Sequence, residues 1–230
     1  MIYFDHNATT PLHPAAREAW LKAVDCYPAN PASQHRMGQR AEAALAEATA
    51  RFARFLGCAP EQILWTSGAT ESSNAVFHHL SRCNDEKGEI WISSVEHAAV
   101  LQPASAYFAR QLRKIPVSPG GVISLEWLEN ELKHQRPGLI AVMAANNETG
   151  VLQPWREVSQ LCREHEVPLL CDATQWLGKL PGADLGQVDY VIGSAHKFGG
   201  PRGIGFLKQP RSESVSALIS GGQQQHGQRG

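Results

Sequence analysis

Residues 36–56, R-M-G-Q-R-A-E-A-A-L-A-E-A-T-A-R-F-A-R-F-L, are dominated by strong helix formers, and Gly57 follows where a helix stop belongs. The run predicts one long helix. Beyond it the pattern changes to short apolar runs: I-L-W-T (63–66), I-W-I (90–92), L-I-A-V-M (139–143), V-P-L-L-C (167–171) and V-D-Y-V-I (188–192). Amphipathic segments near 70–80, 98–111, 124–134 and 155–166 separate them. Continuous apolar runs of this length suit parallel strands buried on both faces, although periodicity by itself also admits short buried helical pieces. The alternation predicts an α/β fold with crossover helices on a sheet. A further run, I-G-F-L-K (204–208), reads as a strand. Residues 11–35 are rich in Pro, His and Asn and read as an ordered arm or loop. Residues 209–230 lose the apolar pattern, and read either as a loose tail or as a chain cut inside a longer domain.

The 230 residues suffice for one main domain, and a formal net charge of −1 gives no basic excess for nucleic acid and no acidic tract. The balance favours a small substrate or cofactor. Five cysteines, Cys26, Cys58, Cys83, Cys162 and Cys171, are scattered without a C-x-x-C, which argues for reduced thiols in a cytoplasm rather than a disulfide framework or a zinc knuckle. His78–His79 and His6/His13 lack convincing metal-ligand spacing. Residues 1–10 have no basic n-region of a signal peptide, and no apolar run reaches the length of a membrane span. Asn7 and Asn147 each open an N-x-T triplet.

In open parallel sheets, ligands sit beyond the carboxyl ends of the strands, so the residues after each apolar run are the candidates for chemistry. After I-L-W-T comes S-G-A-T-E-S (67–72), a glycine turn and a helix start whose free N–H groups suit a phosphate. After I-W-I comes S-S-V-E-H, ending in His97. The run L-I-A-V-M leads to A-A-N-N-E-T-G, and V-P-L-L-C leads to Asp172, Ala173, Thr174 and Gln175. An acid directly after an apolar run needs a cation or several donors. The last run delivers Ser194, His196 and Lys197. Each residue alone is ordinary; an Asn commonly just makes a turn and a Lys commonly just carries charge to water. Together they match what pyridoxal phosphate requires: a phosphate cradle, an aromatic ring to lie on the cofactor, an acid for the ring nitrogen, and an amine for the aldehyde. Glycines in G-G-P-R-G-I-G (199–205) lack G-x-G-x-x-G order and precede a strand, so a nucleotide fold is disfavoured.

With these motifs assembled, the chain resembles the class V aminotransferase family, and within it the cysteine desulfurases of the iron–sulfur cluster type. The resemblance is carried by D-H-N-A-T-T-P (5–11), T-S-G-A-T-E-S-S-N (66–74), V-E-H-A-A-V (95–100), A-N-N-E-T-G (145–150), D-A-T-Q (172–175), S-A-H-K-F-G-G-P-R-G-I-G (194–205) and S-G-G-Q-Q-Q-H-G-Q-R-G (220–230). It implies the fold type I of pyridoxal-phosphate enzymes, a mainly parallel seven-stranded sheet between helices. It also implies an arm over residues 1–20, a cofactor-binding large domain over 21–230, and a smaller C-terminal domain that lies beyond the chain.

By position, the resemblance implies that Ala69, Thr70, Ser194 and His196 hold the phosphate, and that His97 stacks on the ring and moves protons. Asp172 would keep the ring nitrogen protonated, Gln175 would bond the phenolate oxygen, Asn147 would hold substrate or cofactor, Asn7 would lie near the substrate, and Lys197 would form the Schiff base. The implied reaction converts L-cysteine to L-alanine, with sulfur passed to an enzyme thiol and on to an acceptor or scaffold protein, in a homodimer. None of the five cysteines stands where the family carries its nucleophile, so the fragment alone is expected to be inactive. His6 departs from the family's D-N-N-A-T-T, and Q-Q-Q-H-G-Q-R-G departs from its Q-E-R-G-L-R-S-G. A related lyase for selenocysteine or a sulfinate, and a non-catalytic cofactor-binding module, are alternatives that these motifs also admit.

Overall fold

In the computed structural model, residues 2–83, 88–211 and 214–230 are described. Seven strands, β1 (Ile63–Thr66), β2 (Ile90–Ser93), β3 (Leu112–Ile115), β4 (Leu139–Ala141), β5 (Leu169–Asp172), β6 (Tyr190–Ser194) and β7 (Gly205–Lys208), form one sheet. Its order is β1-β7-β6-β5-β4-β2-β3. The pairs β2/β3, β2/β4, β4/β5 and β5/β6 are parallel, whereas β7 runs antiparallel to both β1 and β6. The expectation that every apolar run pairs in parallel is therefore corrected at β1. Among the described residues its sheet partner is the reversed β7, which restores β1 to the common direction and puts its carboxyl end beside those of β4, β5 and β6.

Among the described residues six α-helices accompany the sheet: α1 (Pro14–Cys26), α2 (Arg36–Leu56), α3 (Ala69–Cys83), α4 (Ala98–Phe108), α5 (Leu125–Leu132) and α6 (Trp155–Glu164). Strand alternation divides the core into two layers. Trp91, Ile140, Leu169, Cys171, Val191 and Phe206 face a cluster with α2, α5 and α6, while Ile90, Ile92, Leu139, Leu170, Ile192 and Leu207 face α3 and α4. This is the expected sheet between helices. The long helix over 36–56 ends as read: Gly57 has φ 77°, the left-handed region that a Cβ disfavours, and its N–H closes onto Ala53 and Arg54 carbonyls.

Three segments differ from the pattern reading. Helix α1 occupies residues read as arm or loop and runs across residue 20; His13 caps it by accepting from Ala15 N, and Pro14 opens it. It buries none of its side chains, so no apolar stripe announced it. Strand β3, L-R-K-I, carries two charges because it is the sheet's edge. There Arg113 lies over the rings of Trp91 and Trp127, 5.4 and 4.7 Å from their centroids, and pairs with Glu131 at 2.8 Å. Residues 214–230 also depart from a loose tail. Gln225 brackets the outer edge of β1, accepting from Trp65 N at 2.6 Å and donating to Trp65 O at 2.8 Å, so a side-chain amide covers an otherwise unpaired edge.

Where β7 passes the turn between β1 and α3, a Cβ at Gly205 would overlap Gly68 Cα and the Gly193 carbonyl. Backbone on both sides leaves no room to yield. Gly205→Ala is expected to lower the unfolding free energy by about 1–3 kcal/mol, the usual cost of overpacking, read as a lower urea midpoint. An unchanged midpoint would show that the turn gives way freely.

Candidate active site

A cavity of about 160 Å³ opens at the carboxyl ends of the strands. Ala69 and Thr70, at the start of α3, form one wall, and Ser194, His196 and Lys197 form another after β6. His97 and Asn147 enter from the β2 and β4 ends, and Asp172, Thr174 and Gln175 from β5. All the residues singled out from sequence, apart from Asn7, line this one cavity. Asn7 instead touches three of its lining residues. Its Nδ2 donates to Asn147 O at 2.9 Å, and its carbonyl accepts from Gln175 Nε2 at 2.9 Å and from Lys197 Nζ at 2.7 Å.

Local chemistry explains these placements. Asn146 makes the turn after β4: its Oδ1 accepts from Glu148 N, Thr149 N and Thr149 Oγ1 at 2.9–3.1 Å. The N-x-T triplet at 147 thus contributes its threonine to a turn that presents Asn147. Ser194 Oγ accepts from Ala69 N at 2.8 Å and joins the end of β6 to the start of α3. His97 caps α4 by accepting from Ala99 N at 3.0 Å, which makes Nδ1 an acceptor and assigns the proton of the neutral ring to Nε2. His196 is held by its carbonyl, which accepts from Thr10 N and Oγ1, while its ring meets Thr9 Oγ1 at 3.0 Å. The arm is thereby pinned across the β6 end.

Two groups escaped the sequence reading. Lys179 donates to Gln175 Oε1 and, at 3.4 Å, to Asn7 Oδ1, which places a second amine beside Lys197. Only its neighbours in space mark it. Arg202 helps line an adjoining cavity of about 440 Å³ that shares Thr70, Ser194 and His196 with the first. It lies within S-A-H-K-F-G-G-P-R-G-I-G (194–205), but a lone arginine among glycines carries no spacing signal.

The electrostatics are set by burial. Asp172 is 6% exposed, and its Oδ1 accepts from Thr174 N at 2.9 Å. Burial raises its carboxyl above the usual range, opposed by the Thr174 hydrogen bonds and by the charges of His97 and Lys197. Among the described residues it makes no ion pair. Lys197 is half-buried, and burial lowers its amine against the attraction of Asp172 and Asp5. Burial likewise lowers Lys179, helped by the charge of Lys197. Two amines side by side share the cost of their charge. This favours a neutral, nucleophilic nitrogen at one of them.

Residues 2–227 match the family model described as Aminotransferase class-V. The chain belongs to the class V aminotransferase family. A cysteine desulfurase IscS from Rickettsia felis is 41% identical over 238 residues, covering 99% of this chain and 57% of that protein, and one from Rickettsia akari is 40% identical with the same coverage. The chain thus spans a little over half the length of these relatives. Among solved structures, a NifS-like protein superposes with a TM-score of 0.93 at 34% identity, covering 100% of this chain and 64% of that one. A structure described as SspA in complex with cysteine gives 0.89 at 33% identity, covering 100% and 68%. The family fold and the seven-stranded sheet expected from the motifs therefore hold.

No cysteine lines the cavity. Cys162 and Cys171 are buried, and burial pushes the first up to about 12 and the second well above an ordinary thiol. Cys26 and Cys83 are exposed. Brief iodoacetamide treatment of the native chain at pH 8, followed by mass mapping, is expected to label Cys26 and Cys83 and to spare Cys162 and Cys171 until urea is added. Rapid native labelling of Cys171 would contradict its burial.

Proposed function

We propose that this chain is the cofactor-holding part of a pyridoxal-phosphate-dependent cysteine desulfurase. The observation that supports it most is Asp172, a buried carboxylate at the cavity wall with no cation paired to it among the described residues. A protonated pyridine nitrogen is a partner of the right charge. The cavity's other walls fit the same group: the first-turn N–H groups of α3 lack intrahelical partners and favour an anion, and Lys197 offers an amine of lowered proton affinity. When bound, pyridoxal phosphate would supply an electron sink that labilises bonds at the α-carbon of an amino acid.

The chain's own residues divide the remaining work. Thr70, with the Ala69 turn, Ser194 and His196, is assigned to the phosphate. Lys197 is the covalent anchor, and the carbonyls of Asn7 and Ala8, which accept its hydrogen bonds at 2.7 and 2.9 Å, steer its amine before the cofactor arrives. Gln175, held between Asn7 O and Lys179, is assigned to the ring's oxygen substituent. His97, its Nδ1 engaged by Ala99 N, presents Nε2 as the nitrogen that exchanges a proton above the site. L-Cysteine is proposed as substrate because relatives are named for that activity and a neighbouring structure is described with cysteine. Alanine is the organic product, and the sulfur passes to a thiol, which the cavity wall does not include. The sulfur's onward use in cluster assembly, a homodimeric state, and a cytoplasmic site of action belong to the same proposal; no helix among the described residues is long and apolar enough to cross a membrane.

Borohydride reduction of the protein loaded with pyridoxal phosphate, then peptide mapping, is expected to place the added mass on Lys197. Mass on Lys179 would transfer the anchoring role to that neighbour. No addition to either lysine would remove the cofactor from the account.

A further inference from the structure

Directly before His97 stands a group that the proposed chemistry does not use. Glu96 is 6% exposed, although it belongs to the loop between β2 and α4. Its Oε1 accepts from Met143 N at 2.6 Å, and its Oε2 is buried with no hydrogen-bond partner among the described residues. Met143 lies just past β4 and lines the cavity. Ser93 of β2 also favours the charged form of the Glu96 carboxyl. The titratable groups facing Glu96 come from β5: Asp172, whose charge opposes its ionisation, and Cys171, whose ionisation it opposes in turn. No cation pairs with it among the described residues.

An ionised carboxylate in that position would be buried beside a second carboxylate, with one oxygen unsolvated and unpaired, which is the costliest way to keep an acid inside a protein. The neutral acid avoids the charge and still accepts from Met143 N. Burial, and next the charge of Asp172, push its carboxyl up to about 8, with the Met143 and Ser93 hydrogen bonds pulling the other way. Glu96 thus resembles a structural acid, except that what it ties together, the loop that ends in His97 and Met143 just past β4, are two walls of the cavity.

We propose that Glu96 is a positioning residue of this site, a neutral acid that fastens the His97 loop to the end of β4 and leaves Asp172 as the single anion facing the cavity among the described residues. This rests on the reading of the cavity as a pyridoxal-phosphate site. It has two consequences. Glu96→Gln keeps an acceptor for Met143 N and cannot ionise. Glu96→Ala removes the tie. Ionisation of Glu96 above about pH 8 adds a second negative charge beside Asp172 and strengthens the hold on a cationic ring nitrogen.

The sign of the stability effect follows from the raised carboxyl. Between its unfolded value of 4.5 and its folded value of about 8, the native state keeps a proton that the unfolded state releases, so this contribution to stability falls with rising pH and levels off above 8. The experiment is urea unfolding of the cofactor-free chain from pH 5 to 9, with pyridoxal phosphate titrations at pH 7 and 9. Glu96→Gln is expected to lose about one proton from the pH dependence of unfolding. Its cofactor affinity should lie within about twofold of wild type at pH 7 and several-fold below it at pH 9, while Glu96→Ala, if folded, should bind about tenfold more weakly at both. An unchanged pH dependence of unfolding in Glu96→Gln would overturn the neutral acid, whether or not cofactor binds. A ratio of affinities that stays constant from pH 7 to 9 would overturn its coupling to Asp172. Absence of cofactor binding in the wild type would count against the cofactor reading alone, because the unfolding series still reports the proton on Glu96.

Discussion

A carboxylate at the end of the central strand, withdrawn from water and unpaired by any cation among the described residues, governs the rest of this site. β5 is the fourth strand of seven, covered on both faces, and it delivers Asp172 where neither solvent nor a neighbouring guanidinium can hold its charge. A fold does not maintain such a position for stability, since an apolar side chain there would cost less. The Thr174 amide offsets part of the burial, and the remainder is left for a ligand that carries positive charge.

Around that charge the site is assembled by backbone rather than by side-chain ion pairs. The arm at residues 5–10 lies across the β6 end through Thr9, Thr10 and His196, and it lends carbonyls to Lys197. Carbonyls orient an ammonium group without fixing its charge, so the amine is positioned yet free to lose a proton, which a carboxylate partner would resist. Asn7 then connects Gln175 and Lys179, which share the turn after β5, with Asn147 beyond β4. The arrangement makes the arm part of the site instead of a lid over it.

Much of this was legible in the sequence where one physical signal sufficed. Runs buried on both faces marked β1, β2, β4, β5 and β6, and residues within a few positions after each run line the cavity because these strands share a direction. Strand β3 was not legible, since an edge strand tolerates Arg113 and Lys114, and these erase the apolar run. Helix α1 was hidden for the opposite reason: with nothing buried, its side chains follow no stripe, and only the His13 cap and Pro14 start give it away. Lys179 and Glu96 belong to the site through contacts across the fold, and no local pattern encodes such contacts. The antiparallel β7 was read as a strand, but its direction depends on the glycine passage beside Gly68, which composition does not reveal.

In the proposed function Asp172 holds a cation on the ring of a bound cofactor. Nitrogen NMR of the protein loaded with pyridoxal phosphate labelled at the ring nitrogen reads that charge directly. A protonated ring nitrogen is expected at neutral pH in the wild type and an unprotonated one in Asp172→Asn. An unprotonated nitrogen in the wild type, or one that stays protonated after the substitution, would contradict it.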